Sequence, residues 1–288
     1  MTMTSTRNLL HRENFGRLLV NGAHIEKWLQ SRAAELLRET RSLPDPNISI
    51  LIRTRNDETH VKRLFEDLRA QVFGGQIEVI VVDTESHDST VAYAKAHGAK
   101  IISLTQHDFT YPKALNMGFR AAKYPWVMTL VGHSSLSNKL ALKSLTYWVH
   151  RDKNLVGIYG LPLANWNASV WERLENIIVR QVWKKPRHID SLSIGVMGAN
   201  CSIVERETWQ QLGGYDERYA AGGEDRAFAR AVLDHGGAII REPLCSVFHS
   251  HGLNLANTVK QWLHWLEVAK RPAPFSTHKV HSRRPDLR

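Results

Sequence analysis

A chain of 288 residues, 43% of them hydrophobic, carries enough apolar side chains for one large core or two smaller ones. No run of about 18 apolar residues is present, which excludes a membrane-spanning helix, and two cysteines, Cys201 and Cys245, do not make a disulfide framework. The formal charge of +10 fits nucleic acid, an anionic surface or an anionic small substrate; without zinc-finger spacing or an RNA-binding signature, it favours an anionic substrate over nucleic acid.

The N-terminus lacks the apolar region and cleavage site of a secretory signal, so a reduced, cytoplasmic location is expected. Over residues 22–41, Ile25, Trp28, Leu29, Ala33, Leu36 and Leu37 recur at helical spacing, with Asn21 able to cap the start. "PDPN" at 44–47 ends that helix. Residues 1–46 therefore read as a helical extension, packed on the main domain or on a second copy as a homodimer element.

From residue 47 to 160 strands and helices alternate. Ile48–Ile52, Glu78–Val82, Lys100–Ser103, Trp126–Val131 and Val156–Tyr159 read as strands. Glu58–Ala70, Thr90–His97, Pro112–Ala122 and Leu140–His150 read as helices, and Pro112 suits a first turn. Continuous apolar strands alternating with helices predict an α/β fold, a mostly parallel central sheet with helices on both faces. Residues 161–270 are less regular. A helix is expected over 170–183, a return strand over 198–204, a helix over 223–237, strand–turn–strand over 238–252, and an amphipathic helix over Asn257–Ala269. The tail 271–288 carries Arg271, Lys279, Arg283, Arg284 and Arg288; it is expected to be flexible and able to touch an anionic membrane surface. Trp166, Trp171 and Trp183 can stack on a sugar, but core packing is expected for at least two of them.

Ligands of such sheets sit at the carboxyl ends of the strands. The first strand ends in "RTRNDE" (53–58), where Arg53 and Arg55 are candidates for phosphate or base contacts, with surface salt bridges the equal alternative. The second ends in Asp83, placed to accept hydrogen bonds from a base or ribose, whereas Asp88, Ser89 and Thr90 suit helix capping. Lys113 stands near a helix start, where backbone N–H groups favour a diphosphate. "GGEDRAF" sets Glu224 and Asp225 at another helix start: one can take a proton from a hydroxyl while the other holds the loop. "FHSHG" is expected to end a strand with His249 and His251 on the same face, because strand side chains alternate; such a pair can ligate a metal, and His133 can join them.

In order, "ISILIRTRNDE", "IEVIVVDTESHDST", "GAKII", "KALNMGFRAA", "WVMTLVGHSS", "GGYDERYAAGGEDRAFARAVLDHGG" and "VFHSHG" resemble the GT-A glycosyltransferases of family 2, over roughly 48–252, with a flavour of the rhamnosyltransferase-like branch. The resemblance implies a Rossmann-like GT-A domain over 47–270, divided into a nucleotide-binding half (47–160) and an acceptor or catalytic half (161–270). It implies transfer of a sugar from a UDP-, dTDP- or GDP-sugar to a hydroxyl, with inversion. Asp225 would be the catalytic base, with Glu224 beside it. Thr54, Arg55, Asn56, Glu58 and Asp83 would line the nucleoside pocket, and Lys113 would face the phosphates. The sequence departs from the family where Val131 and His133 stand in place of Asp-x-Asp, and where Thr84 replaces an acid. His133 with His251 can then hold a divalent metal (Mg2+ or Mn2+), His133 can bind the diphosphate directly, or Lys113 or Arg53 can replace the metal. The rival reading is a catalytically inactive GT-A domain that binds a nucleotide sugar or a partner. A sugar nucleotidyltransferase would need a glycine-rich loop after the first strand, and "RTRNDE" has none.

Overall fold

The computed structural model describes residues 22–165, 168–174, 176, 185–192, 196–219, 222–251 and 253–270. At its centre lie four parallel strands, β1 (Ile48–Thr54), β2 (Ile77–Asp83), β3 (Lys100–Ser103) and β4 (Trp126–Val131), ordered β3-β2-β1-β4. All seven residues of β1 are buried. Because strand side chains alternate, its apolar run serves two layers at once. Ile48, Ile50 and Ile52 join one core with Val61, Leu64, Phe65 and Leu145; Leu51 joins the other with Val82, Leu115, Phe119, Trp209 and Phe228.

The first layer is covered by α2 (Glu58–Arg69), α3 (Thr90–Ala96) and α5 (Lys143–Val149), the second by α4 (Tyr111–Ala121), α6 (Arg206–Gln211) and α7 (Glu224–Asp234). The fold is thus the expected α/β arrangement with helices on both faces. The helix expected over Leu140–His150 begins later. Residues 139–142 form turns closed by Asn138 Oδ1, which accepts from the Leu140 N–H at 2.8 Å.

Beyond β4 the sheet becomes mixed. The return strand β9 (Cys201–Glu205) runs antiparallel between β4 and β6 (Leu155–Tyr159); β10 (Ala238–Arg241) lies parallel to β6, and β8 (Arg187–His188) closes the edge. Residues on either side of the expected division at 160 therefore share one continuous sheet. A second, three-stranded sheet joins β5 (Ser135–Leu136), β11 (Val247–Phe248) and β7 (Pro162–Leu163). It is short, but it ties the turn after β4 to the histidine-rich segment after β11.

The N-terminal helix α1 (Gly22–Glu39) packs against α5 of its own domain, with Ala33 and Leu36 fully buried. Its apolar face is thereby used within the chain, which meets the first of the two expected roles. Asn21 and the basic tail lie outside the described residues, as do Trp166 and Trp183; Trp171 is exposed rather than in a core. Helix α8 (Leu255–Lys270) closes the described chain. No described helix is long and apolar enough to cross a membrane.

Candidate active site at the strand ends

β1, β2 and β4 end level with one another: Thr54 pairs with Asp83, and Arg53 with Val131. The backbone carries the sheet one step further, as Thr84 N donates to Thr54 O (3.0 Å) and Gly132 N to Arg53 O (2.8 Å). Only glycine fits at 132, since a Cβ there would meet Thr54 Oγ1 at 2.3 Å and Asp57 Oδ2 at 2.5 Å. Above this edge opens a cleft of about 360 Å3, lined by Arg53, Thr54, Arg55, Asp57, Thr84, Gln106, Phe109, Tyr111, Val131 and His133. That volume lies within the roughly 300–1,000 Å3 of small-molecule sites.

The expected donor-binding residues divide. Thr54, Arg55 and His133 line the cleft. Asp83 is turned into its own loop, accepting from Ser86 N (3.0 Å) and Ser86 Oγ (2.5 Å), so Thr84, not Asp83, faces the cleft. Asn56 joins the loops after β1 and β2: its N–H donates to Ser86 Oγ and its Oδ1 accepts from His87 N, both at 2.8 Å. Glu58 binds Lys62 at 2.6 Å on the surface of α2. Lys113 stands in the first turn of α4, its backbone N–H capped by Thr110 Oγ1 and its Nζ 3.5 Å from Asp108; it does not line the cleft.

Arg53 gains weight that its sequence neighbourhood concealed. It is 9% exposed, and its guanidinium lies 5.2 Å from the centre of the Tyr111 ring and donates to Ala199 O at 3.5 Å. Burial pulls its pKa below the ordinary arginine value, opposed first by the charge of Glu224 and also by Asp225. Among the described residues its Nε has no hydrogen-bond partner, nor has Glu224 Oε2 or the Tyr215 hydroxyl. Open polar atoms on a buried cation and on two groups that feel its charge are unusual in a folded interior.

Glu224 and Asp225 open α7 behind Gly222 (φ 98°) and Gly223 (φ 106°), backbone angles that suit glycine. Glu224 is buried and Asp225 half-buried. Burial, and then the neighbouring Asp225, push Glu224 up to about 7; burial also raises Asp225, whose Oδ1 accepts from Arg226 N at 2.7 Å. Neither residue lines the cleft, and carboxyls raised in this way suit proton transfer near neutral pH.

The third group is the histidines. His133, His249 and His251 each offer a ring nitrogen, and these atoms lie within 4.8 Å of one another. His133 Nε2 and His249 Nε2 are 2.9 Å apart. His249 and His251 lie past the last residue of β11, so strand alternation does not pair them; their rings meet edge to face at 4.6 Å. His249, rather than His251 alone, is thus the immediate neighbour of His133. Burial and the nearby His133 hold both below the ordinary histidine value, His249 down to about 3, which favours the neutral ring with one nitrogen able to donate its lone pair. Asp57 Oδ1 stands 3.9 Å from His133 Nδ1; although burial pushes this carboxyl upward, His133 and Thr54 hold it below its usual range. These residues fit a divalent cation: three imidazoles with a carboxylate behind one of them is a known metal-ligand pattern.

Comparison with known proteins fits this geometry. The chain is 25% identical over 180 residues to the O-antigen chain rhamnosyltransferase WbaN of Salmonella anatum, an alignment covering 60% of this chain and 56% of that protein. This chain therefore spans about half the length of that relative. Among solved structures it resembles the mannosyltransferase PcManGT from Pyrobaculum calidifontis in complex with GDP-Man and Mn2+, with a TM-score of 0.57, 15% identity and coverage of 85% of this chain and 73% of that one. It also resembles S. aureus TarS 1-349 in complex with UDP-GlcNAc, with a TM-score of 0.55, 15% identity and coverage of 72% and 59%. Identities this low speak for a shared GT-A fold. The model of glycosyl transferase family 2 matches residues 49–212, more than half of the sequence, and the chain belongs to that family.

Proposed function

We propose that this chain is an inverting glycosyltransferase that moves one sugar from a nucleoside diphosphate to a hydroxyl acceptor, with Asp225 as the base. The observation that carries the reading is Arg53: a buried cation that lines the cleft and feels the Glu224–Asp225 pair. The nucleoside of a UDP-, dTDP- or GDP-sugar enters between Thr54, Arg55, Thr84, Gln106, Phe109 and Tyr111, where aromatic edges and hydroxyls offer both stacking and hydrogen bonds. The two solved structures it resembles are complexes with compounds of this class, GDP-Man and UDP-GlcNAc.

In the reaction the acceptor O–H gives its proton to the Asp225 carboxylate as its oxygen attacks the anomeric carbon. The bond from that carbon to the diphosphate oxygen breaks, and the diphosphate leaves with the electron pair. Arg53, largely buried at the cleft wall, meets that growing negative charge where screening by water is reduced. Glu224 offsets the Arg53 charge in the free protein, next to Asp225 in sequence. A divalent cation on His133 and His251, when bound, supplies further neutralisation of the diphosphate.

Asp225→Asn tests the base. It keeps shape and removes proton acceptance, so turnover should fall by about 10²–10⁴ while donor binding, followed by calorimetry, stays. Turnover within about tenfold of the parent refutes the assignment. Donor binding by the unmodified chain without transfer to any hydroxyl acceptor would favour a binding module instead.

A further inference from the structure

The carboxylate pair that the family resemblance leads one to expect at the end of β4 is replaced by Val131 and His133, and the small β5–β11–β7 sheet carries His249 and His251 to the same spot. The result is a ligand set of nitrogen alone. Three nitrogens held by one cation at 2.0–2.1 Å stand about 3.3 Å apart in a tetrahedral site. Here the closest pair is at 2.9 Å and all three fall within 4.8 Å, so small ring rotations converge them. The supports are in place: Asp57, itself bound by Thr54 Oγ1 at 2.9 Å, sits behind His133, and Glu172 Oε1 accepts the His251 backbone N–H at 2.9 Å.

Imidazole donors suit zinc, cobalt, nickel and iron, whereas Mg2+ prefers carboxylate, carbonyl and water oxygens. We infer that His133, His249 and His251 form a three-imidazole site for a transition-metal dication of the zinc–cobalt–nickel kind, with Asp57 as a positioning residue and Mg2+ excluded. This replaces the expectation of Mg2+ at His133 and His251 and assigns His249 as a full ligand. It rests on the proposed reaction only for what the ion does there; binding stands by itself.

The test uses the full chain, stripped with chelator and dialysed separately against Zn2+, Co2+ and Mg2+. One equivalent of zinc or cobalt per chain is expected by elemental analysis, with a visible cobalt spectrum showing nitrogen ligation and at least 100-fold weaker Mg2+ binding by calorimetry. His249→Ala and His133→Ala should each weaken zinc at least 100-fold, Asp57→Asn about 10- to 100-fold, and His107→Ala, an exposed histidine elsewhere, not at all. Circular dichroism checks folding, and His249→Gln serves if His249→Ala is misfolded. Substoichiometric zinc, Mg2+ binding equal to zinc, or unchanged affinity in His249→Ala and His249→Gln overturns the site. The two readings fail separately. Sugar transfer by a chain that binds zinc substoichiometrically sinks the metal site and leaves the transferase; stoichiometric zinc without transfer sinks the transferase and leaves the site.

Discussion

Glu224 shows how one side chain can be costly to stability and useful to chemistry. Its carboxyl is 5% exposed, and among the described residues its Oε2 has no hydrogen-bond partner. Burial and the adjacent Asp225 raise its pKa to about 7. A group that holds its proton more tightly when folded favours the folded state fully below its unfolded pKa of about 4.3, and that contribution is lost as pH rises through the folded value. Stability should therefore decline between about pH 4.5 and 7, by on the order of 1–3 kcal/mol from this residue. Asp67, raised to about 6 by burial, adds a slope of the same sign. Glu224→Gln should flatten the decline, because the titrating group is gone. Calorimetric melts of both proteins from pH 5 to 8 check this; identical slopes would contradict it. Why a chain would retain such a residue follows from Arg53: without a facing acid, that buried guanidinium would stand uncompensated.

At the scale of elements, the N-terminal helix is attached by more than its apolar stripe. Arg32 is buried and grips Glu242 with two bonds, Nη2 to Oε2 at 2.6 Å and Nε to Oε1 at 3.4 Å. Glu242, just past β10, also accepts from Trp148 Nε1 at 2.8 Å and Leu244 N at 3.2 Å. Stacked on the Tyr147 ring at 4.2 Å, Arg32 locks α1 to both α5 and the sheet. Arg32→Ala leaves a buried carboxylate without its cation and should cost about 3–5 kcal/mol in denaturant unfolding. The double variant Arg32→Met with Glu242→Gln should recover a large part of that loss. If Arg32→Ala costs under about 1 kcal/mol, the helix is held by its apolar contacts alone. The helix itself was legible, because Leu36 and Ala33 recur at the right spacing; its partner Glu242, 210 residues away, was not. The same holds for β5 and β7, two residues each, too short for any periodicity to announce them.

Across the whole molecule, a charge of +10 should draw an anionic donor toward the cleft. On the proposed reaction, raising ionic strength from about 0.05 to 0.5 M shortens the screening length from roughly 14 to 4 Å. The donor KM should then rise by roughly three- to tenfold, while the KM of an uncharged acceptor stays level. Steady-state kinetics at several salt concentrations check this, and equal responses of the two substrates would contradict steering. By itself the sequence determined the parallel half of the sheet, the helices that cover it and the strand ends where ligands sit, because period and turn chemistry are local properties. Arg55 and His133 were found that way, and Thr54 through the family resemblance. Only the tertiary structure decided that Asp83 closes on Ser86 while Thr84 faces the cleft, that Arg53 is a buried hub and not a surface cation, and that His249 meets His133. Those outcomes depend on which distant segments come together and on what is shielded from water, and neither quantity is carried by a stretch of neighbouring residues.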